Sequence, residues 1–254
     1  MSYKKLAVAT LAALSLQMSA CAEEKGHSST THWGYEGHAG PAHWGSLSED
    51  YAACSTGTQQ SPVDITSSVK ADLPPLKFNY SPIPLIIENN GHTIKMSADK
   101  AGSLTIGEQV YHLLQFHTHS PSEGAVNGKR ADMIVHLVHK SDQGELAVVA
   151  VFLEKGDTAN PLIETLWKVM PKTEGKPQQH DIQIDINQLL PAEKHYYSLT
   201  GSLTTPPCSE GVKWVILKQP VSISAGQLTQ YKTVYSQNAR PLQPLNDRQV
   251  LSSN

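Results

Sequence analysis

Between Gln115 and His139 the chain reads QFHTHSPSEGAVNGKRADMIVHLVH, with four histidines and one glutamate. His117 and His119 are two residues apart. In an extended strand successive side chains point to opposite faces, so these two imidazoles share one face. The insert SPSEGAVNGKR that follows carries Gly124, Asn127 and Gly128, residues that suit turns. MIVHLVH then reads as a second strand, and antiparallel pairing with the first brings one more imidazole beside the pair. His136 and His139 are an odd number of residues apart, so only one of them can face that side. Three imidazoles from two rigid strands, with a fourth position open, are what a catalytic zinc ion takes. At this level Glu123 has three readings: a fourth ligand, an acceptor behind the ligands, or a plain turn residue.

The spacing HTHSPSE also fits HxHxxxE, the first half of a cupin metal signature, but no PxGxxHxxxN partner appears downstream. A broader set of motifs points elsewhere. QFHTHSPSE, MIVHLVHK and SLTTPP at Ser202 to Pro207 resemble an alpha-class carbonic anhydrase. So do QSPVDI at Gln60 to Ile65, NNGH at Asn89 to His92, WGYEGHAGPAHW at Trp33 to Trp44, and NARPLQPLNDRQV at Asn238 to Val250. These matches fall in order from about residue 32 to residue 250.

The resemblance implies a Zn2+ enzyme, a carbonate dehydratase that hydrates CO2 reversibly to bicarbonate and a proton by attack of zinc-bound hydroxide. Matched residue by residue, His117, His119 and His136 are the zinc ligands and His139 is not. Thr204 accepts a hydrogen bond from the hydroxide proton and donates its own hydroxyl hydrogen bond to the Glu123 carboxylate, while Thr205 helps hold bicarbonate. Val138, Val148, Leu203, Val212 and Trp214 line the apolar CO2 pocket; from sequence alone they are core strand residues. His92 matches the proton shuttle, Gln115 the amide serving the first ligand, and Asn238 the residue serving the second. Tyr35 matches a polar residue of the cavity. The third ligand is usually served by a glutamate two residues before it, and here that position is Ile134. This is the clearest departure from the family pattern. Ser61-Pro62 and Pro206-Pro207 match positions where the family has cis peptide bonds. The competing reading is a catalytically silent relative acting as a binding module. Such relatives typically lack one or more ligand histidines, and all three are present here.

The elements that must position these residues belong to an exported chain. Residues 1–22 read as a signal peptide, with Lys4 and Lys5 as its positive start and Leu6 to Leu16 as its apolar run. Ala20-Cys21-Ala22 permits cleavage before Glu23. MSAC also resembles a lipobox with Cys21 as a lipidated first residue, although Met18 stands where Leu is usual, so periplasmic or secreted soluble export is favoured over a lipid anchor. No second apolar run supports a transmembrane segment. Residues 23–31 are polar and expected to be disordered, and residues 32–254 form one catalytic domain with a sizeable core. The full chain carries a formal charge of −3, and removing the two leader lysines leaves −5. That mild acidity offers no basic footprint for nucleic acid. Monomer and homodimer both remain open.

Past the leader only Cys54 and Cys208 are left, and an exported chain with two cysteines most simply pairs them. So long a loop is worth ~4–5 kcal/mol on the chain-entropy account of disulfides, itself a disputed one. Cys208 lies four residues after Thr204, so the bridge tethers that loop.

The rest of the pattern is mainly β, with frequent turns and few helices. LIIENNGHTIKM holds an Asn-Gly turn between extended runs, and SLTIGEQVYHLLQF reads as a hairpin. AVVAVFL (147–153), KHYYSL (194–199) and VKWVILK (212–218) read as later strands. Asn160-Pro161 opens a helix to about Met170 with Asn as its N-cap. SISAGQLTQYKTVY holds a second helix, with Ser224 and Gln227 as a capping box and Leu228, Tyr231 and Tyr235 on its apolar face. The glycines and proline of residues 32–45 argue against regular structure there. The resemblance implies an α+β single domain with a central, largely antiparallel, ten-stranded twisted sheet and a few surface helices.

Overall fold

The computed structural model describes residues 31–254, so the expected signal peptide with Cys21, and the expected disorder of residues 23–30, lie outside the described residues. A single large sheet dominates. Its main path has ten strands, in the spatial order Gln178–Ile184, Ile83–Asn89, Ile94–Ser97, Gln109–His119, Met133–Lys140, Leu146–Gly156, Glu210–Leu217, Tyr196–Ser202, Leu251–Ser252 and Val69–Lys70. Three further strands, Leu76–Tyr80, Gly102–Ile106 and Val221–Ser224, branch off it. The sheet is mixed. Most neighbours are antiparallel, but Leu146–Gly156 runs parallel to Glu210–Leu217 and to Val221–Ser224, and Leu251–Ser252 parallel to Val69–Lys70.

Alternation along the central strands assigns each face its role. Met133, Val135 and Leu137 join Ala147, Val149, Val151, Leu153, Val215 and Leu217 in the larger core. Their alternate neighbours Ile134, Val148, Ala150, Phe152, Val212, Trp214 and Ile216 form a second apolar cluster on the other face. A strand buried on both faces reads as a near-continuous apolar run, as AVVAVFL does.

The strand Gln109–His119 changes which of its residues face the larger core. Tyr111 and Leu113 pack there, and so does Phe116, three residues past Leu113. The pairing with Met133–Lys140 shifts between Leu113 and Gln115, leaving Leu114 as the extra residue of a bulge. One extra residue exchanges the faces. Beyond it, Gln115, His117 and His119 all stand on the side of the second cluster.

The turns follow the expected chemistry. Gly91 has φ +85 between Ile83–Asn89 and Ile94–Ser97. Asn90 Oδ1 accepts from the amides of His92 and Thr93, which fixes that turn. In the insert, Gly124, Asn127 and Gly128 have φ of +84, +50 and +78. Ser61-Pro62 and Pro206-Pro207 are cis as expected, and Ser120-Pro121 is cis as well.

The two longer helices have the predicted starts. Asn160 Oδ1 accepts from the amides of Leu162 and Ile163, and Ser224 and Gln227 form both arms of a capping box. Their ends differ. The first helix is Pro161–Lys168, closing where the Val169 amide turns back to Leu166 and Trp167. The second is Ala225–Lys232, so Tyr235 packs on the core from beyond its end. Residues 32–45 are not wholly irregular. A 3-10 turn spans Gly37–Ala39, and a short helix, Trp44–Leu47, forms around the buried indole of Trp44, whose Nε1 donates to the carbonyls of Gly34 and Ala39. Cys54 and Cys208 are bridged, and together with Trp44 they make a third small core.

His139 is buried in the larger core, with its Nε2 2.6 Å from the Tyr80 hydroxyl. Burial lowers its pKa from 6.5 to about 4. The unfolded chain therefore takes up this proton first as pH falls. The stability that neutral His139 contributes is complete above about pH 6.5 and is lost towards pH 4, about 3 kcal/mol in all. His139→Gln is expected to flatten the loss of urea stability between those pH values; an unaltered slope would show that His139 does not titrate on unfolding.

Candidate metal centre

His117 and His136 are direct cross-strand partners, and His119 stands two residues further along the same face. One nitrogen from each of the three rings lies within 4.8 Å of the other two. His119 and His136 are buried, and His117 is half-buried at the edge. His117 Nδ1 donates to Gln115 Oε1 at 2.8 Å, and His119 Nδ1 donates to the backbone carbonyl of Asn238 at 2.7 Å. Each bond occupies one nitrogen and turns the other inward. His119 Nε2 is buried with no hydrogen-bond partner among the described residues, an arrangement that suits a metal ion. Burial first, and the neighbouring histidines second, hold the pKa values of His117 and His136 well below 6.5; the Lys95 charge adds to the effect at His117. Both rings are therefore neutral at neutral pH, the form that ligates metals.

Asn238 serves His119 through its main chain. Its amide side chain is used otherwise: Nδ2 donates to the carbonyls of His92 and Thr118 and to the Tyr231 hydroxyl, and Oδ1 accepts from the Ser120 amide. This residue pins both the end of the HxH strand and the NNGH turn.

His136 has no such support. Ile134, on the same strand face two residues before it, is buried in the apolar cluster. His136 Nε2 is buried, and no group among the described residues takes the missing acceptor's place. Its Nδ1 lies 3.9 Å from Glu123 Oε2, on the side of the other two rings.

Glu123 is buried and held from one side only. Oε1 accepts from the Arg240 amide at 2.7 Å, while Oε2 has no hydrogen-bond partner among the described residues and lies 3.6 Å from His119 Nε2. Thr204 is buried, but no hydrogen bond joins it to Glu123, and the expected relay is not closed in this geometry. Its loop is firmly set. The amide of Leu203 donates to Ser209 O, that of Cys208 to Thr205 O, and Gln60 Nε2 to Cys208 O. Thr205 is half-buried.

Arg240 was not singled out from the sequence, though it lies within the NARPLQPLNDRQV motif. Fully buried, its guanidinium donates to Gln60 Oε1, Ser61 O and Cys54 O, and it lies over the Trp44 ring. No local pattern marks an arginine as buried; its partners are 179 to 186 residues away.

Val138, Val148, Leu203, Val212 and Trp214 all belong to the apolar cluster that also contains Ile134. The Trp214 ring meets His136 edge-on at 5.0 Å, and its Nε1 donates to Ser202 O. His92, although in the NNGH turn, is not an open residue. It is half-buried because its ring stacks on Trp33, centroids 3.7 Å apart. Burial, and then nearby His32, lower its pKa. The Tyr35 hydroxyl is buried with no hydrogen-bond partner among the described residues, and burial followed by the Glu123 charge raises its pKa.

A mainly β domain with three imidazoles converging from adjacent strands, beside an apolar cluster and a buried carboxylate, presents a candidate mononuclear metal site. Comparison with known proteins makes this specific. The family model for eukaryotic-type carbonic anhydrase matches residues 39–254. A carbonic anhydrase of Neisseria gonorrhoeae is 44% identical over 227 residues, covering 89% of this chain and 89% of that one. One from Nostoc sp. is 39% identical over 251 residues, covering 96% and 94%. The structure of the alpha-carbonic anhydrase from Thermovibrio ammonificans with the inhibitor sulfanilamide superposes with a TM-score of 0.83 at 43% identity, covering 87% of this chain and 99% of that one. The chain belongs to the alpha-class carbonic anhydrase family.

Proposed function

We propose that His117, His119 and His136 hold the zinc ion with which this carbonate dehydratase catalyses the reversible hydration of CO2 to bicarbonate and a proton. The observation that carries the ligand set is the convergence of one nitrogen from each ring within 4.8 Å, with His119 Nε2 buried and otherwise unpartnered. Bound there, zinc is a Lewis acid that brings the pKa of water to about 7, the general value for carbonic anhydrase rather than one drawn from this chain.

The protein's own groups aim the reaction. Thr204 would accept a hydrogen bond from the attacking oxygen and, once the relay closes, donate its own to Glu123 Oε2, which has no hydrogen-bond partner among the described residues. The Arg240 amide holds the other carboxylate oxygen, so the acceptor cannot turn away. Thr205 holds bicarbonate. CO2 offers no charge to bind, and the cluster of Val138, Val148, Leu203, Val212 and Trp214 presents a surface without competing polar groups. His92 carries the proton outward, and Tyr35 is a polar residue of the cavity. Gln115 and the Asn238 carbonyl fix two ligand rings, and Ile134 leaves the third unsupported.

Residues 32–254 form the catalytic domain. The Cys54–Cys208 bridge fits an oxidising compartment outside the cytoplasm, and residues 1–22 are read as the signal peptide that takes the chain there, to the periplasm or beyond. Among the described residues no helix is long and apolar enough to cross a membrane.

Zinc content measured alongside stopped-flow CO2 hydration, with and without a sulfonamide, tests the whole reading. One zinc per chain with sulfonamide-sensitive turnover is expected; a zinc-free, inactive protein would instead be a silent relative. His92→Ala is expected to slow turnover about tenfold or more in dilute buffer and to recover with added imidazole; equal turnover in dilute buffer would remove His92 from the proton path. Ile134→Glu supplies the acceptor that His136 Nε2 lacks, and is expected to slow zinc loss to a chelator by about 10-fold or more. An unchanged release rate would show that the unsupported ring does not limit retention.

A further inference from the structure

Two charged residues that the mechanism above does not use stand in line with the histidines. Across the site face of the sheet, Glu88 is the direct partner of Lys95, Lys95 of His117, and His117 of His136. Directly opposed residues on antiparallel strands share a face, with Cβ atoms about 4.5–5.5 Å apart. The row therefore leads from a carboxylate through an ammonium to the rings of His117 and His136. Lys95 Nζ lies 2.5 Å from Glu88 Oε1, and the two side chains are 32% and 12% exposed. A surface ion pair would be mostly screened; a pair this enclosed, beside a half-buried ring, is screened less.

The substrates of the reaction differ in charge. CO2 is neutral and gains nothing from a nearby cation. Bicarbonate and inhibitory monoanions gain Coulomb energy throughout their stay. We propose that Lys95 is an anion-positioning residue of this site, its ammonium favouring bicarbonate and other monoanions at the ligand triad, and that Glu88 anchors it and tempers its charge. The proposal rests on the functional reading above, since the anion it positions is the one that reading produces.

The test uses the zinc-loaded protein and thiocyanate as the probe monoanion, with its Kd measured by calorimetry. Lys95→Gln is expected to raise the thiocyanate Kd about three- to tenfold, the effect of one charge at roughly 8–10 Å through partly aqueous surroundings. Glu88→Gln removes the tempering charge and is expected to lower Kd, and Lys95→Arg, which keeps the cation, to stay close to wild type. A merely structural role would weaken binding in both glutamine variants. Equal Kd values throughout, or weakening in both, would overturn the proposal. Should Lys95→Gln fail to fold, Glu88→Gln decides alone: an unchanged or higher Kd overturns it. A wild-type protein that neither hydrates CO2 nor binds thiocyanate would overturn the functional reading first and this inference with it, an outcome distinct from wild-type binding that ignores the two substitutions.

Discussion

The site exists because His117 stands opposite His136 in the sheet and not one residue to either side. Strand side chains alternate with a period of two, so a slip of one position would send His136 into the larger core and bring its neighbours to the metal face. Two features hold the register. The bulge at Leu114 lets Tyr111 and Leu113 feed one core while His117 and His119 face the other side. The alternating apolar residues of Met133–Lys140 and Leu146–Gly156 are buried on both faces and tolerate no exchange. The geometry of three small rings is thus paid for by the packing of a whole sheet.

Burial then gives the rings their chemistry. Removed from water, His117 and His136 remain neutral, as ligands must be. Burial also leaves every other polar group in need of a partner, and those partners build the surroundings. Asn238 joins the HxH strand to the NNGH turn, while Arg240 joins Glu123 to Gln60, Ser61 and the carbonyl of Cys54. Through the disulfide, the same network reaches the loop of Thr204. Glu123 is therefore held by the main-chain amide of an arginine whose side chain forms no ion pair with it.

The two sides of the site differ in physical character. One is the apolar wall around Trp214, Val148 and Val212, continued by Ile134 where an acceptor would otherwise stand. The other is polar, running from Glu88 and Lys95 past His117 towards His92 and Trp33.

Much of this was legible in the chain itself. HxH spacing, the Asn-Gly and Gly-rich turns, the Asn160 and Ser224 caps and the pairing of two cysteines are local or compositional signals, because they arise from backbone periodicity, φ preference and nearest-neighbour hydrogen bonds. Family motifs added the choice of His136 over His139. Tertiary structure alone decided the rest: the bulge that aims Gln115, His117 and His119, the burial of Arg240, the carbonyl rather than amide service from Asn238, and the stacking that covers His92. Each of these depends on groups far apart in sequence, whose encounter is set by the closing of the sheet and not by any residue's own preference.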